Sequence, residues 1–436
     1  MRQCIALISF LILIMPFQAE AEEIIKKGES LNLERCIEIA LKRQPAIIAA
    51  MNTANASQSR IGEAKANYYP QIDWTAGYSR ISPVFTGISS FQGTTGGQAS
   101  STGSFDQYTS SVTLNQNIYD FGKTPTQVKI QSLNFDSSLA DLENVSEQVI
   151  LNVKQTYYGV LQARRNRDVS AEAVKQFQQH LEQAKGFYEV GTKPKFDVTK
   201  AEVDLSNAKL NLIKAENAIQ IAIVNLNNAM GVPEAPEYII EDSLAFQKYE
   251  ITFKDALLRA YKNRPDLKST IAKRQAAESS VELAKTGYYP VLTGNAAYNW
   301  AGEKFPLEHG WNIGATLSFP IFSGFLTRYQ VEEAKATLNV VRANEESLRQ
   351  NIFLEVQQAF LNLKEAEDRI PTAELTVKQA EENFEIANGR YAAGVGNPIE
   401  VTDADVALSN AKTAYIQALY DYKVAWASLE KAMGIR

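Results

Sequence analysis

Two carboxylates near the C-terminal end of the chain are spaced so that they could act together on a charged solute. Glu400 and Asp403 stand three positions apart in a segment with helical periodicity, and residues three apart share one face of a helix. Carboxylates gathered at a constriction attract cations and repel anions. A plain solvated helix face is the alternative interpretation of this pair.

The sequence contains no group of residues that indicates a catalytic or metal site. His180 stands in a glutamine-rich helical segment and His309 in a short predicted loop, each without a cysteine or acidic cluster around it. Nucleophilic triads and zinc sites need these residue types in groups. We therefore expect two surface histidines, no metal site, no cofactor and no enzyme activity. The stretch GTTGG lies in a polar loop rather than between a strand and a helix, so no phosphate-binding loop is predicted.

The N-terminus has the three regions of an export signal. Arg2 precedes an apolar run from Ile5 to Met15, and the small residues Ala19 and Ala21 follow it. The run is too short to span a membrane as a helix. We predict that residues 1–21 are a signal peptide.

The rest of the chain argues against a disulfide, a lipid anchor, a transmembrane helix and a nucleic-acid partner. Cys36 would be its single cysteine, so it has no disulfide, and the preceding Arg35 does not fit a lipid attachment site. No apolar run of about 18 residues follows the signal, so no transmembrane helix is expected. The net charge of −6 argues against nucleic acid as a partner.

The same long element occurs twice in the chain. Residues 188–209 have the sequence YEVGTKPKFDVTKAEVDLSNAK, and residues 391–412 have YAAGVGNPIEVTDADVALSNAK. The stretches AKANYYPQIDWTAGY and AKTGYYPVLTGNAAY also align. Repeats of this size predict two halves with the same order of elements. The halves are residues 22–231 and 255–436, and residues 232–254 are a linker.

Each half is predicted to hold short helices, two strands and two long helices, because the apolar period changes from 3.6 to 2 after each Tyr-Tyr-Pro. Pro371 predicts a kink or a restart inside the last but one helix. In the first half the elements are helices 33–67, strands 71–81 and 107–119, and long helices 124–189 and 197–230. In the second half they are helices 255–286, strands 291–301 and 310–321, and long helices 325–392 and 399–433.

The predicted strands each have one apolar face and one small, polar face, which fits a β-sandwich or a membrane β-barrel. Aromatic residues near the strand ends favour the barrel, where such residues collect at the membrane interfaces. They are Trp74, Tyr78, Tyr298, Trp300 and Trp311. Four strands cannot close a barrel, since the smallest need about eight. Several chains would have to contribute, and the Ser/Gly/Thr-rich loop between Ser82 and Gln107 suits the outer surface.

The long helices keep one heptad register in both halves, with a seam of alanine, valine and threonine that suits side-by-side packing. At 1.5 Å per residue each would reach roughly 100 Å. The repeated YxxG…LSNAK segments and YYP strand starts, in this order of elements, resemble the TolC-like outer-membrane efflux protein family. The resemblance covers essentially the whole chain after the signal.

The resemblance implies a mixed α+β membrane protein with two structural repeats. Such a protein is a homotrimer in which each chain gives four strands to a 12-stranded β-barrel, and the long coiled-coil α-helices form a periplasmic tunnel. The implied function is a passive exit duct, embedded in outer-membrane lipid, of a tripartite efflux or type I secretion system. The implied partners are a periplasmic adaptor (membrane fusion protein) and an inner-membrane pump of the RND, ABC or MFS type.

The resemblance also assigns roles to residues where the long helices turn. Glu400 and Asp403 match the acidic ring of the periplasmic entrance, and Tyr391 and Asp197 match positions that latch it closed. The basic latch residue is replaced by Gly396, so that Lys193 or Lys195 would have to substitute. The adaptor is expected to dock at Gly191, Thr192, Lys193, Gly394, Val395 and Gly396.

The alternative function is a periplasmic coiled-coil scaffold or adhesin whose strands form a small β-sandwich. In a sandwich the apolar strand faces meet each other, whereas in a barrel they meet lipid. The location and oligomeric state of the protein distinguish the two functions.

Overall fold

The structure is a computed structural model that describes residues 25–82 and 104–435. The predicted signal peptide and most of the predicted Ser/Gly/Thr-rich loop lie outside the described residues. None of the described helices is long and apolar enough to cross a membrane.

The order of elements in the first part of the chain recurs in the second. The first part contains β1 (Ser30–Leu31), α1 (Leu33–Arg43), α2 (Pro45–Lys65), β2 (Gln71–Ile81), β3 (Phe105–Tyr119), α3 (Lys123–Glu189) and α4 (Lys195–Met230). The second part contains β4 (Ile239–Ile240), α5 (Phe253–Asn263), α6 (Pro265–Lys285), β5 (Val291–Gly302), β6 (Glu308–Ser318), α7 (Leu326–Ala392) and α8 (Pro398–Ala432).

Most predicted boundaries lie within about two residues of the structure, and two predicted features differ by more. The last strand ends at Ser318 rather than at residue 321. α7 continues through Pro371, so the predicted helix restart is wrong. Proline removes one backbone hydrogen bond from a helix, but the preceding residues Ala366 and Ile370 are buried in the main core, and this packing holds the helix together.

The long helices form two antiparallel hairpins, α3 with α4 and α7 with α8. α3 and α7 each have 67 residues, which corresponds to a length of roughly 100 Å. Their seams are closed by buried side chains such as Val153 and Val160 on α3 and Ile352 and Val356 on α7. α3 also packs against α8, so the two hairpins lie side by side.

The main core lies where the linker passes across the long helices. Tyr157 of α3 is fully buried and donates a hydrogen bond to the carbonyl of Glu241, at 2.7 Å. Arg165 forms an ion pair with Asp242 at 3.0 Å. β1 and β4 pair in parallel in the same region. The linker is therefore fastened to α3 through its backbone as well as through side chains.

Tyr422 fastens the other end of the linker to α8, and its hydroxyl offers a test of that role. The buried hydroxyl donates to the carbonyl of Gln247 at 2.6 Å and accepts from the Tyr249 amide at 3.1 Å. We expect Tyr422→Phe to lower the free energy of unfolding by about 2 kcal/mol, because two backbone groups lose their partner. Tyr188→Phe on an exposed tyrosine should change it by less than about 0.5 kcal/mol. Denaturant unfolding in detergent measures both, and equal effects would contradict the assigned role.

The remaining four strands form one antiparallel sheet in the order β2-β3-β5-β6. Trp74 is opposite Val112, Val112 is opposite Tyr298, and Tyr298 is opposite Trp311. Opposite residues of an antiparallel pair project from the same face. The alternation of strand residues then gives this face the whole set of predicted interface aromatics: Trp74, Tyr78, Tyr298, Trp300 and Trp311.

The apolar face of the sheet is open rather than covered. Trp74 and Trp311 are 71% and 73% exposed, and Ile72, Ile313 and Leu317 are exposed on the same face. The opposite face carries small and polar residues, for example Thr75, Ser111 and Asn299. Within the described part of the chain, β2 and β6 each pair with one strand only, so that both edges of the sheet are free.

Candidate functional site

The candidate site consists of the two turns that join the long helices. We call residues 190–194 the first tip and residues 393–397 the second tip. Gly191 and Gly394 have φ angles of 74° and 80°, a conformation that glycine adopts without strain. The amides of Thr192 and Val395 each bond back to a carbonyl five residues earlier, at 3.0 and 3.1 Å. Both long helices thus end in the same glycine-containing cap.

The second tip has room for glycine alone at position 396. A Cβ atom placed on Gly396 would lie 2.7 Å from the Tyr391 nitrogen, closer than non-bonded atoms approach. Asn397 then caps α8 by accepting a hydrogen bond from the Ile399 amide at 3.0 Å, and Pro398 occupies the first helical position. The tight turn therefore leaves no room for a side chain at position 396.

We expect Gly396→Ala to distort the second tip at a cost of about 1–3 kcal/mol, since the added methyl group meets backbone atoms. Gly389→Ala is the matched control, because its Cβ meets nothing within 4 Å and alanine is the better helix former. Hydrogen exchange of residues 389–400 measures both. Faster exchange in the control than in Gly396→Ala would contradict the expectation.

Tyr391 joins the second tip to the first hairpin. Its side chain is fully buried, with ring centres 4.7 Å from His180 and 5.5 Å from Phe187. Lys193 of the first tip lies 5.9 Å from the centre of the Tyr391 ring and donates a hydrogen bond to the Gly396 carbonyl, at 3.3 Å. We call His180, Phe187, Lys193 and Tyr391 the tip cluster.

The predicted surface position of His180 is wrong. Its side chain is only 4% exposed because the Tyr391 ring covers it. Burial lowers the pKa of His180, against the raising effects of Asp204 and Asp197. His309 stacks on Tyr298 at the sheet instead. A glutamine-rich neighbourhood gave no sign of burial, since it is the second hairpin that covers this face of α3.

The two latch candidates are close in space but are not hydrogen-bonded to each other. The Tyr391 hydroxyl is buried without a hydrogen-bond partner among the described residues. Asp197, buried in the first turn of α4, acts on Tyr391 through its charge, which adds to burial in raising the pKa of that tyrosine. The contact between the tips therefore depends on ring packing and on Lys193.

A second polar contact, which the sequence did not reveal, joins the hairpins further from the tips. The Thr402 hydroxyl donates to Asp204 at 3.0 Å, and Lys200 donates to the same carboxylate at 2.7 Å. Lys200 and Asp204 are four residues apart on α4. The only available signal was this spacing, and nothing in the sequence indicated that α8 would supply a third partner.

Glu400 and Asp403 are both exposed at the start of α8. The buried side of the same turns carries Val401 and Ala404. Arg390 lies 3.8 Å from Glu400, but both side chains are at least half exposed, and such a pair contributes little. The two carboxylates thus project from the unpacked side of α8, where a solute can approach them.

Asp405 is a further acidic residue at this site that sequence reasoning missed. It is 2% exposed, and neither carboxyl oxygen has a hydrogen-bond partner among the described residues. Burial raises the pKa of Asp405 to about 7, Glu172 adds to the rise and Lys412 opposes it. Nothing in its local sequence marked it as buried, because the side chains that cover it come from other helices.

The chain matches the family model described as "Outer membrane efflux protein" over residues 36–232 and 256–435. It belongs to that family. The match covers both helical hairpins, both tips and the four-stranded sheet.

The relatives and the structural neighbours agree with this membership. The chain is 23% identical to outer membrane protein TolC of Escherichia coli (strain K12) over 92% of its length and 82% of the relative. It is 21% identical to the alkaline protease secretion protein AprF of Pseudomonas aeruginosa, over 91% and 83%. Its fold is that of the Campylobacter jejuni CmeC outer membrane channel, with a TM-score of 0.78 at 20% identity, covering 92% and 85% of the two chains. The names describe an outer membrane protein, a secretion protein and an outer membrane channel.

Proposed function

We propose that this protein is the outer-membrane exit duct of a tripartite efflux or type I secretion system. Three copies would join their sheets into one 12-stranded β-barrel, and their long helices would enclose a periplasmic tunnel. The duct is passive, and an inner-membrane pump drives cargo into it through a periplasmic adaptor.

The observation that carries the proposal is the sheet. Its apolar face exposes tryptophan, isoleucine and leucine to the surroundings, while its other face is small and polar. In water such a face would be covered by protein, whereas in a membrane barrel it meets lipid and the polar face lines the water-filled interior. The five aromatic residues that share the apolar face suit the membrane interfaces.

The free edges of the sheet support assembly with further copies. β2 and β6 each have 11 residues, so that β6 of one copy can pair along its full length with β2 of the next. A long unpaired edge is a hazard in a monomer. Repeating this head-to-tail contact around an axis closes a ring, and three copies of four strands give an even-numbered barrel of 12.

The scaffold or adhesin function is the weaker alternative. A β-sandwich would cover the apolar face with a second sheet, and the four long strands of the described residues form one sheet only. The exposed aromatic residues then have no partner surface. Membership of the outer membrane efflux protein family also favours the duct.

The tips are the proposed periplasmic entrance. Glu400 and Asp403 of three copies would place six carboxylates around it. The tip cluster would hold the hairpins together while the entrance is closed, and both tips, with Gly191, Thr192, Lys193, Gly394, Val395 and Gly396, would form the docking surface for the adaptor. Relatives named for protease secretion and for pyoverdine export show the range of cargo within the family.

The proposal is tested with the full-length protein. We expect it to fractionate with the outer membrane, to run as a trimer in mild detergent and to conduct ions in a planar lipid bilayer. A protein recovered from the soluble periplasmic fraction without conductance would overturn the duct and favour the scaffold.

A further inference from the structure

A buried carboxyl lies where the second hairpin rests on α3. Asp405 has buried neighbours at Ala404 and Leu408 on the same side of α8. Two turns further on, Lys412 bonds to Glu172 of α3 at 2.9 Å and lies 3.6 Å from Glu381 of α7. Asp405 is thus enclosed near a junction of three long helices.

A carboxylate without partners is costly to bury, and almost all buried polar groups in proteins are hydrogen-bonded. Both oxygens of Asp405 lack a partner in the part of the chain that the structure describes. The packed arrangement therefore suits the neutral acid. An ionised Asp405 is better accommodated in an arrangement that lets water reach it.

The charged groups around Asp405 add to this preference. Glu172 on α3 opposes its ionisation, Lys412 on α8 favours it, and Glu381 from α7 shares that lysine with Glu172. Glu400 and Asp403 lie on the exposed side of α8. Burial is the main influence on the pKa of His180 and lowers it, while Asp204 and Asp197 raise it and Lys200 lowers it.

We propose that Asp405 is a proton-sensitive switch of the tips: its neutral form holds α8 against α3, and its ionisation favours their separation. This inference rests on the proposed function, because it treats separation of the hairpins as opening of the entrance. It assigns a role to a residue that neither the acidic pair nor the tip cluster contains.

The direction of the pH effect follows from proton binding in the two states. Burial raises the pKa of Asp405 to about 7 in the packed state, whereas an exposed aspartate has a pKa of about 3.9. Between these values the open state releases a proton that the packed state keeps, so opening becomes easier as pH rises and levels off above about 7. The difference allows up to about a 1000-fold change in the opening equilibrium of one chain.

The test is the conductance of the full-length protein in planar bilayers between pH 5 and pH 8 at constant ionic strength. We expect the open probability of the wild type to rise at least tenfold over this range. Asp405→Asn, which mimics the neutral acid, should stay closed and independent of pH. Asp368→Asn removes an exposed carboxylate of α7 and should behave like the wild type. A pH dependence that persists in Asp405→Asn would overturn the switch.

Hydrogen exchange of residues 401–412 gives a second readout that does not depend on conductance. After correction for intrinsic exchange rates, protection should fall with rising pH in the wild type and stay constant in Asp405→Asn. In Glu172→Gln the fall should be centred at lower pH, since one opposing charge is gone. Constant protection in the wild type would overturn the switch. A protein that never conducts ions would overturn the duct, and the hydrogen-exchange result would then decide on the switch by itself.

Discussion

Replacing Glu400 and Asp403 together with alanine is expected to weaken cation selectivity and to reduce block by a multivalent cation by at least about tenfold. Both carboxylates are exposed on one side of α8 and leave its packed side untouched. Rings of acidic side chains raise the local concentration of cations by about 10-fold to 1000-fold where they line a narrow passage. In the proposed trimer the double variant would remove six charges, and we expect the hairpins to stay intact because both side chains are exposed.

The measurement is the reversal potential in a salt gradient, together with a titration of block by a trivalent cation. The matched control exchanges the two residues, Glu400→Asp with Asp403→Glu, and keeps every charge. We expect it to retain selectivity and block. Equal selectivity in the alanine variant and the wild type would contradict the acidic ring, and the two carboxylates would then belong to an ordinary solvated helix face.

Screening by salt separates a direct charge effect from a change of shape. Block that depends on a ring of exposed carboxylates falls as ionic strength rises, because the Debye length shortens from about 10 Å at 0.1 M salt to about 3 Å at 1 M. The difference between the wild type and the alanine variant should therefore shrink in high salt. A difference that is the same at both salt concentrations would point to a distorted tip instead.

Local patterns were enough to predict much of this fold. The change of apolar period at Tyr-Tyr-Pro marked the strands, and the glycines Gly191 and Gly394 marked the turns, because each of these signals acts through neighbouring backbone atoms. The alternation along the strands also predicted which residues share a face. The restart predicted at Pro371 was wrong because the helix is kept continuous by packing against residues that are distant in the sequence, which a local pattern does not reveal.

The candidate site was harder to predict because its contacts join residues about two hundred positions apart. His180 was predicted to lie on the surface and Asp405 carried no signal at all, yet each is buried where one hairpin covers the other. Tyr188 and Tyr391 occupy equivalent positions of the repeat, yet the first is 46% exposed and the second fully buried. A repeat predicts the same backbone twice, but the burial of its side chains depends on which neighbour each copy meets.

Truncation of Tyr391 is expected to loosen the tips, whereas removal of its hydroxyl alone is not. Tyr391→Ala empties a buried site between His180 and Phe187, and such changes cost about 3–5 kcal/mol. Part of this cost falls on the contact between the hairpins, so we expect a higher open probability in planar bilayers. Tyr391→Phe keeps the ring and removes a buried hydroxyl that has no partner among the described residues. It should leave the open probability unchanged or slightly lower.

The two substitutions distinguish ring packing from a hydrogen-bonded latch. If the Tyr391 hydroxyl held the entrance closed through Asp197, the phenylalanine variant would open as readily as the alanine variant. If ring packing holds the entrance closed, Tyr391→Ala should open it and Tyr391→Phe should not. Lys193→Met should open the entrance partially, because it loses the hydrogen bond to the Gly396 carbonyl. Unfolding of the main core, measured on the same preparations, separates loosened tips from a destabilised protein, since the core around Tyr157 and Tyr422 shares no cluster with Tyr391. Increased opening in Tyr391→Ala but not in Tyr391→Phe is the result that would place the closing contact in the ring packing of the tip cluster.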